Sequence, residues 1–141
     1  MSGCGETLHA TCVAVADRGL LILGPAGSGK SALALRLISL GALLVSDDLT
    51  RVEARDGRLW ASCPNPDLAG LIEARGVGLL RAPAQGATVL DLAVDLGQVE
   101  PDRLPPLRRL TILGQALPLV LHARNDHFPD ALMLYLRLGR E

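Results

Sequence analysis

Residues 24 to 31 read GPAGSGKS, and no other stretch limits the fold so tightly. The spelling is G-x-x-x-x-G-K-[ST], with Gly24, Gly29, Lys30 and Ser31 in the fixed places. Such a loop works between a strand and a helix. Small residues let the backbone curl until several N–H groups converge on a phosphate, and the helix N-terminus adds its partial positive charge. The flanks supply that context. HATCVAVADRGLLILG, residues 9–24, alternates around a turn at Asp17-Arg18-Gly19 and reads as two strands, the second running into the loop. SALALRLISLGA then sets Leu33, Leu35, Leu37, Ile38 and Leu40 at helical spacing before Gly41 closes the helix. The motif therefore wraps Gly24, Pro25, Ala26, Gly27, Ser28, Gly29, Lys30 and Ser31 around nucleotide phosphates. Lys30 is placed to bridge the β- and γ-phosphates, and the Ser31 hydroxyl to hold Mg²⁺.

Downstream, ALLVSDD is a short buried strand that delivers two aspartates at its carboxyl end, and TRVEARDGRLWAS is a hairpin turning at Asp56-Gly57. CPNPD is a connector. LIEARGVGLLRAPAQG reads as a strand, a glycine loop and a second loop ending near Gly86, and ATVLDLAVDLG is the longest strand by alternation. The three prolines of EPDRLPPLRR forbid regular structure there. LTILGQALPLVLHARND supplies one or two more strands, and DALMLYLRLGR a short amphipathic terminal helix. With 141 residues there is one domain, 1–141, and one scaffold for all the chemistry.

Composition narrows the class further. Hydrophobic residues make up 49% of the chain but aromatics only 2%, so the core is aliphatic, as suits a parallel or mixed sheet covered by helices. A net charge of −1 gives no field for holding nucleic acid, and few aromatics are present to stack bases. No apolar run is long enough to span a bilayer and no leader pattern opens the chain, so a cytoplasmic protein without a membrane partner is expected. Cys4, Cys12 and Cys63 have no metal-ligand spacing and read as reduced thiols.

Candidate chemistry gathers around the aspartates. If the strand before Ser46-Asp47-Asp48 runs parallel to the one before the glycine loop, the pair lies at the carboxyl edge where ligands bind in open α/β sheets. One aspartate there can hold magnesium while the other accepts a proton from the attacking group. Glu73 in IEARGVGLL is a carboxylate able to reach the metal, Arg75 can steady it or the phosphates, and Gly76 and Gly78 allow close backbone approach. His9, His122, His127, Trp60 and the Arg108-Arg109 pair carry no motif of their own.

The order of these pieces resembles HPr kinase/phosphorylase, the bacterial enzyme that phosphorylates a serine of the phosphocarrier protein HPr and removes that phosphate again. His9 stands one hairpin ahead of GPAGSGKS, then come VSDD, IEARGVGLL, PDRL and HARN. The likeness covers nearly the whole chain as the catalytic domain, in a short form without the N-terminal domain of longer members. It implies an α/β, P-loop-containing, PEP carboxykinase-like nucleotide-binding domain with a central mixed sheet. It further implies Mg²⁺ and ATP, an HPr-type partner and a homo-oligomer, specifically a hexamer.

Position by position, the resemblance makes His9, Lys30, Asp47 and Arg103 catalytic, with Asp47 as general base in phosphorylation and general acid in the reverse reaction. It makes Ser31, Asp48 and Glu73 the metal site, and places His122 to Asn125 in a loop important for dephosphorylation. The chain departs from the usual pattern at Pro25-Ala26, Ala32 and Arg81. Two other readings of the same loop are a small-molecule kinase and a nucleotide-binding regulatory protein without kinase activity.

Overall fold

The computed structural model describes residues 5–141, so Cys4 lies outside the described part. Eleven strands and two α-helices follow in order: β1 (Gly5–Leu8), β2 (Thr11–Val15), β3 (Arg18–Leu23), α1 (Lys30–Ser39), β4 (Leu43–Ser46), β5 (Thr50–Arg55), β6 (Arg58–Ser62), β7 (Leu71–Ala74), β8 (Gly78–Arg81), β9 (Thr88–Val99), β10 (Arg108–Ile112), β11 (Gln115–His122) and α2 (Phe128–Leu138). Nine of the strands form one mixed sheet, ordered β1-β5-β6-β9-β3-β2-β4, with β11 also on β9 and β10 on β11. The sheet agrees with the α/β, P-loop expectation.

The long strand β9 organises the rest. It pairs parallel with β3 over Arg18–Leu23 and parallel with β11, while its first residues meet β6 in antiparallel register. Strand β4 is antiparallel to β2, which is antiparallel to β3, so β4 points the same way as β3 without pairing with it. The carboxyl ends of β3, β4, β9 and β11 therefore share one edge of the sheet, as the sequence argument about Asp47 and Asp48 required.

Two apolar cores lie on the two faces. Both helices cover one, where Leu33, Leu37, Leu132 and Leu136 pack on Val13, Leu20, Ile22, Leu44, Leu92 and Val94. The other carries no helix. There Cys12, Ala14, Leu21, Val45 and Ala93 meet Val52, Leu59 and Ala61 of the β5–β6 hairpin and Ile112 and Leu117 of β10–β11. The expectation of helices over the sheet thus holds on one face, because a branching sheet can bury the other with its own hairpins. Burial drives the Cys12 thiol far up from its ordinary range, which fits an inert core residue.

Four local readings differ, the first being that EPDRLPPLRR is not irregular to its end, since Arg108 and Arg109 lie beyond the prolines and pair with β11 as the start of β10. The first turn falls on Ala16 and Asp17, both at positive φ, since Arg18 already pairs with Val15 in β3. The N-terminal GETL is a strand that pairs with β5, forty-odd residues away, a partner that local pattern does not reveal. GLLR, read as loop, is strand β8, which forms a separate two-stranded sheet with β7 and is exposed along its length.

Candidate active site

The glycine loop leaves β3 and enters α1 as its spelling demands. Gly24, Gly27 and Gly29 take φ of 150°, 80° and 100°, conformations that L side chains rarely adopt. A Cβ at Gly24 would run into the Ser28 hydroxyl, so that position is also closed by space. Helix α1 begins with no acidic residue in its first turn, which leaves its N-terminal positive potential uncompensated and aimed at the cleft. The Ser28 hydroxyl is buried inside this curl and has no hydrogen-bond partner among the described residues. Lys30 folds back and donates to the carbonyls of Gly24 at 2.7 Å and Pro25 at 3.2 Å, crossing the mouth of the loop.

Opposite it stands Asp47, just past the end of β4. Its Oδ1 accepts from the Ser31 hydroxyl at 2.7 Å and from the Thr11 hydroxyl at 3.1 Å, and its Oδ2 accepts from the Glu73 backbone N–H at 3.2 Å. One carboxylate thereby joins the glycine-loop helix, β2 and the β7–β8 hairpin. Asp48 follows at φ 69°, with its amide donating to Thr11 Oγ1 at 3.2 Å, and its side chain turns into the open cleft. The cleft itself measures about 470 Å³ and is lined by Gly27, Gly29, Lys30, Ser31, Asp48 and Glu73, and further along α1 by Leu35 facing Arg75 and Val77.

These residues suit a metal–nucleotide complex. The donors are hydroxyl and carboxylate oxygens, the hard ligands that Mg²⁺ takes, and Mg²⁺ keeps waters and phosphate oxygens among its ligands. Among the described residues no group of three or more His, Cys, Asp or Glu is gathered as a complete cage, so a metal here would draw on phosphates and water as well. The curled loop and its uncompensated helix end provide the phosphate cradle.

Lys30, Ser31, Asp47, Asp48 and Glu73 are thus brought together. His9 is exposed at the bend after β1, two residues before Thr11, and does not line the cleft. Arg103 lies in the irregular segment after β9, at the same sheet edge and also outside the cleft lining. That edge touches the glycine loop: a Cβ at Gly97 would sit 3.1 Å from Pro25 Cδ. Thr11 was not singled out from sequence, although it is a wholly buried hydroxyl within the apolar run ATCVAV, a signal that a polar partner awaits it. Among the described residues no helix is long and apolar enough to cross a membrane.

Known proteins share both the pattern and the fold. The family model of the HPr serine kinase C-terminal domain matches residues 4–102. The HPr kinase/phosphorylase of Clostridium botulinum (strain Eklund 17B / Type B) is 41% identical over 73 residues, 52% of this chain and 24% of that protein. That of Clostridium novyi (strain NT) is 38% identical over 104 residues, 68% of this chain and 33% of that protein. The chain thus aligns with a quarter to a third of the length of these curated relatives. The solved structure of the Hpr(Ser) kinase/phosphatase from Coxiella burnetii superposes with a TM-score of 0.77 at 27% identity, covering 94% of each chain. A family match that takes in the glycine loop, the aspartate pair and the Glu73 hairpin, on a shared fold, makes this chain a member of the HPr serine kinase C-terminal domain family.

Proposed function

We propose that the chain is a protein-serine kinase that transfers the γ-phosphoryl group of ATP to an HPr-type phosphocarrier protein, and that the same site runs the transfer backward with inorganic phosphate. The observation that carries this reading is the convergence on Asp47 of Ser31 from α1, Thr11 from β2 and the Glu73 amide from the hairpin, beside the phosphate cradle.

Phosphoryl transfer asks a protein for positioning and charge more than for covalent work. The loop amides and Lys30 hold the phosphates. Ser31, Asp48 and Glu73 would hold Mg²⁺, which supplies positive charge against the phosphate oxygens when bound. Asp47 takes the proton as the acceptor serine oxygen bonds to the γ-phosphorus and the bond to the β-phosphate oxygen breaks, giving phosphoserine and ADP. In the reverse direction an oxygen of inorganic phosphate bonds to the phosphoserine phosphorus, the serine oxygen leaves, and Asp47 returns the proton, giving serine and pyrophosphate. Arg103 adds positive charge from the adjoining edge, and His9 is assigned to the same reaction on the family pattern. The family pattern also supports a hexamer, which a monomer by light scattering at micromolar concentration would overturn.

The test is incubation of the purified protein with Mg²⁺-ATP and the HPr-type protein of the same organism, followed by intact-mass analysis, with Asp47→Asn as control. One added phosphate on a serine, missing in the control, is the expected result. ATP binding without any added phosphate would overturn the kinase reading and leave a nucleotide-binding regulatory protein.

A further inference from the structure

The segment that carries Arg103 is closed at its base by a feature with no counterpart elsewhere among the described residues. Glu100, just past β9, accepts two hydrogen bonds from one guanidinium: Arg108 Nε to Oε1 at 3.0 Å and Arg108 Nη2 to Oε2 at 2.9 Å. This is the one ion pair within 4 Å among the described residues, and the Glu100 side chain is only 7% exposed. The Glu100 amide is also fixed, donating to the His122 carbonyl at 3.0 Å. Between the two charged residues runs PDRLPPL, in which Pro101, Pro105 and Pro106 each hold φ near a single value.

The Glu100 carboxylate makes one more bond, and it bears on function. Its Oε2 accepts from the backbone N–H of Asp102 at 3.1 Å, which fixes the chain at the residue before Arg103. Strand β10 does not need the pair to find its place, since its ladder with β11 already sets the register from Arg108 to Ile112. Paired with Glu100, Arg108 is a neutralised cation at the phosphate edge, whereas Arg103 has no hydrogen-bond or ion-pair partner among the described residues. The Arg108 hydrogen bonds hold the Glu100 carboxyl below the ordinary glutamate range, so the pair is charged at neutral pH.

We propose that Glu100 and Arg108 are positioning residues, a bidentate clasp that orders residues 101–107 and presents Arg103 to the phosphoryl group. The proposal rests on the reading of Arg103 as a participant in the transfer. A bidentate pair fixes direction as well as distance, and a displaced charge of this kind costs rate without costing nucleotide affinity.

The experiment compares four full-length proteins: wild type, Glu100→Gln, Arg103→Ala and the double variant. Transfer to the HPr-type protein gives kcat and KM, and trypsin cleavage at Arg103–Leu104 in wild type and Glu100→Gln reports the order of the loop. Glu100→Gln is expected to lower kcat by about 10- to 100-fold. Its KM for ATP stays within about twofold, and cleavage speeds up about tenfold. Arg103→Ala is expected to lose about 10³-fold, and the double variant no more than Arg103→Ala alone, because the clasp acts only through that side chain.

Multiplying losses in the double variant would show that Glu100 has a merely structural role and overturn the proposal. So would an unchanged kcat in Glu100→Gln while Arg103→Ala is crippled; that result leaves the kinase reading intact. Wild-type rates in Arg103→Ala would instead overturn the role given to Arg103, and the clasp's role with it. Absence of transfer in all four would overturn the kinase reading, and the positioning role falls with it. Should Glu100→Gln fail to fold, Arg108→Lys takes its place: it keeps the charge, loses the fork, and is expected to show an intermediate kcat and cleavage rate.

Discussion

Two loops leave the same sheet edge from neighbouring parallel strands, residues 24–29 after β3 and residues 100–107 after β9, and they are built by opposite means. The first is held by its own backbone. Glycines at positive φ, a hydrogen bond from the Ser28 backbone N–H to the Pro25 carbonyl and the first turn of α1 shape it, and each of those determinants lies within the loop or next to it. The second is held by side chains, Glu100 and Arg108 at its two ends and Arg140 from beyond α2, whose guanidinium donates to the Pro105 carbonyl, and by its prolines. Both carry a cation, Lys30 and Arg103, to which the proposed transfer gives a role. A phosphate cradle must fit a small, unchanging anion, so fixed backbone donors serve it; a guanidinium brought in from the side needs only a stiff arm.

The largest effect that sharpens this contrast is expected from Lys30→Ala. Among the described residues its ammonium hydrogen-bonds to carbonyls of its own loop alone, so removing it should leave the fold untouched. Transfer to the HPr-type protein should fall by about 10²–10³-fold, the usual cost of losing one preorganised charge-stabilising donor. Thermal unfolding by circular dichroism should be unchanged. A variant that transfers at the wild-type rate would remove Lys30 from the reaction and leave the glycine loop as a binding element alone.

Next in size is the footing of the glycine loop. Leu37 is fully buried on α1 in the core shared with α2, so Leu37→Ala should cost about 2–5 kcal/mol. Urea denaturation would show this as a lower midpoint at unchanged slope. A changed slope would mean that α1 frays in the variant, and that the loop's geometry depends on the helix more than its glycines suggest.

The same contrast explains what could be read from the sequence. The glycine loop, α1 and the strand before it were legible because local spacing between Arg18 and Ser39 determines them, and the alternation of Thr88–Val99 announced β9. Asp47 and Asp48 were legible as a pair. The Thr11 partner was not, since β2 and β4 become neighbours only through the antiparallel ladder. Strand β1 was missed for the same reason. Arg108, one of two adjacent arginines without a motif, acquires its meaning from Glu100, and proline content says only that the stretch between them is irregular. Strand β8 was missed because an exposed hairpin strand has no buried face to impose alternation.

A smaller effect is expected where β9 touches the glycine loop. Gly97, near the end of β9, has room for a Cβ only at 3.1 Å from both Pro25 Cδ and Asp95 Oδ1, closer than ordinary contact. Its φ lies outside the left-handed range, so Gly97→Ala tests crowding alone. The loop should shift by a few tenths of an ångström at a cost of about 1 kcal/mol, read as a lower urea midpoint. Nucleotide affinity measured by calorimetry should weaken by severalfold. Equal affinity with lowered stability would show that β9 supports the glycine loop without tuning it.

The smallest effect is expected at the tip of the clasped loop. Leu104 is 83% exposed and Leu107 68% exposed, so truncating Leu104 removes almost no buried surface. Leu104→Ala should therefore leave stability within about 0.5 kcal/mol, measured by urea denaturation at two protein concentrations differing by about a hundredfold. The second concentration gives the null its content. A difference between the two proteins that is equally small at both concentrations means that the tip stands free, and that the order of the loop comes from its base, its prolines and the Arg140 bond to the Pro105 carbonyl. A loss that grows with concentration would mean that Leu104 is covered by a second copy of the chain, because only an associated state gains stability by mass action. In that case the loop after β9 would be shaped by assembly as well as by Glu100 and Arg108, and its contrast with the self-contained glycine loop would be wider still.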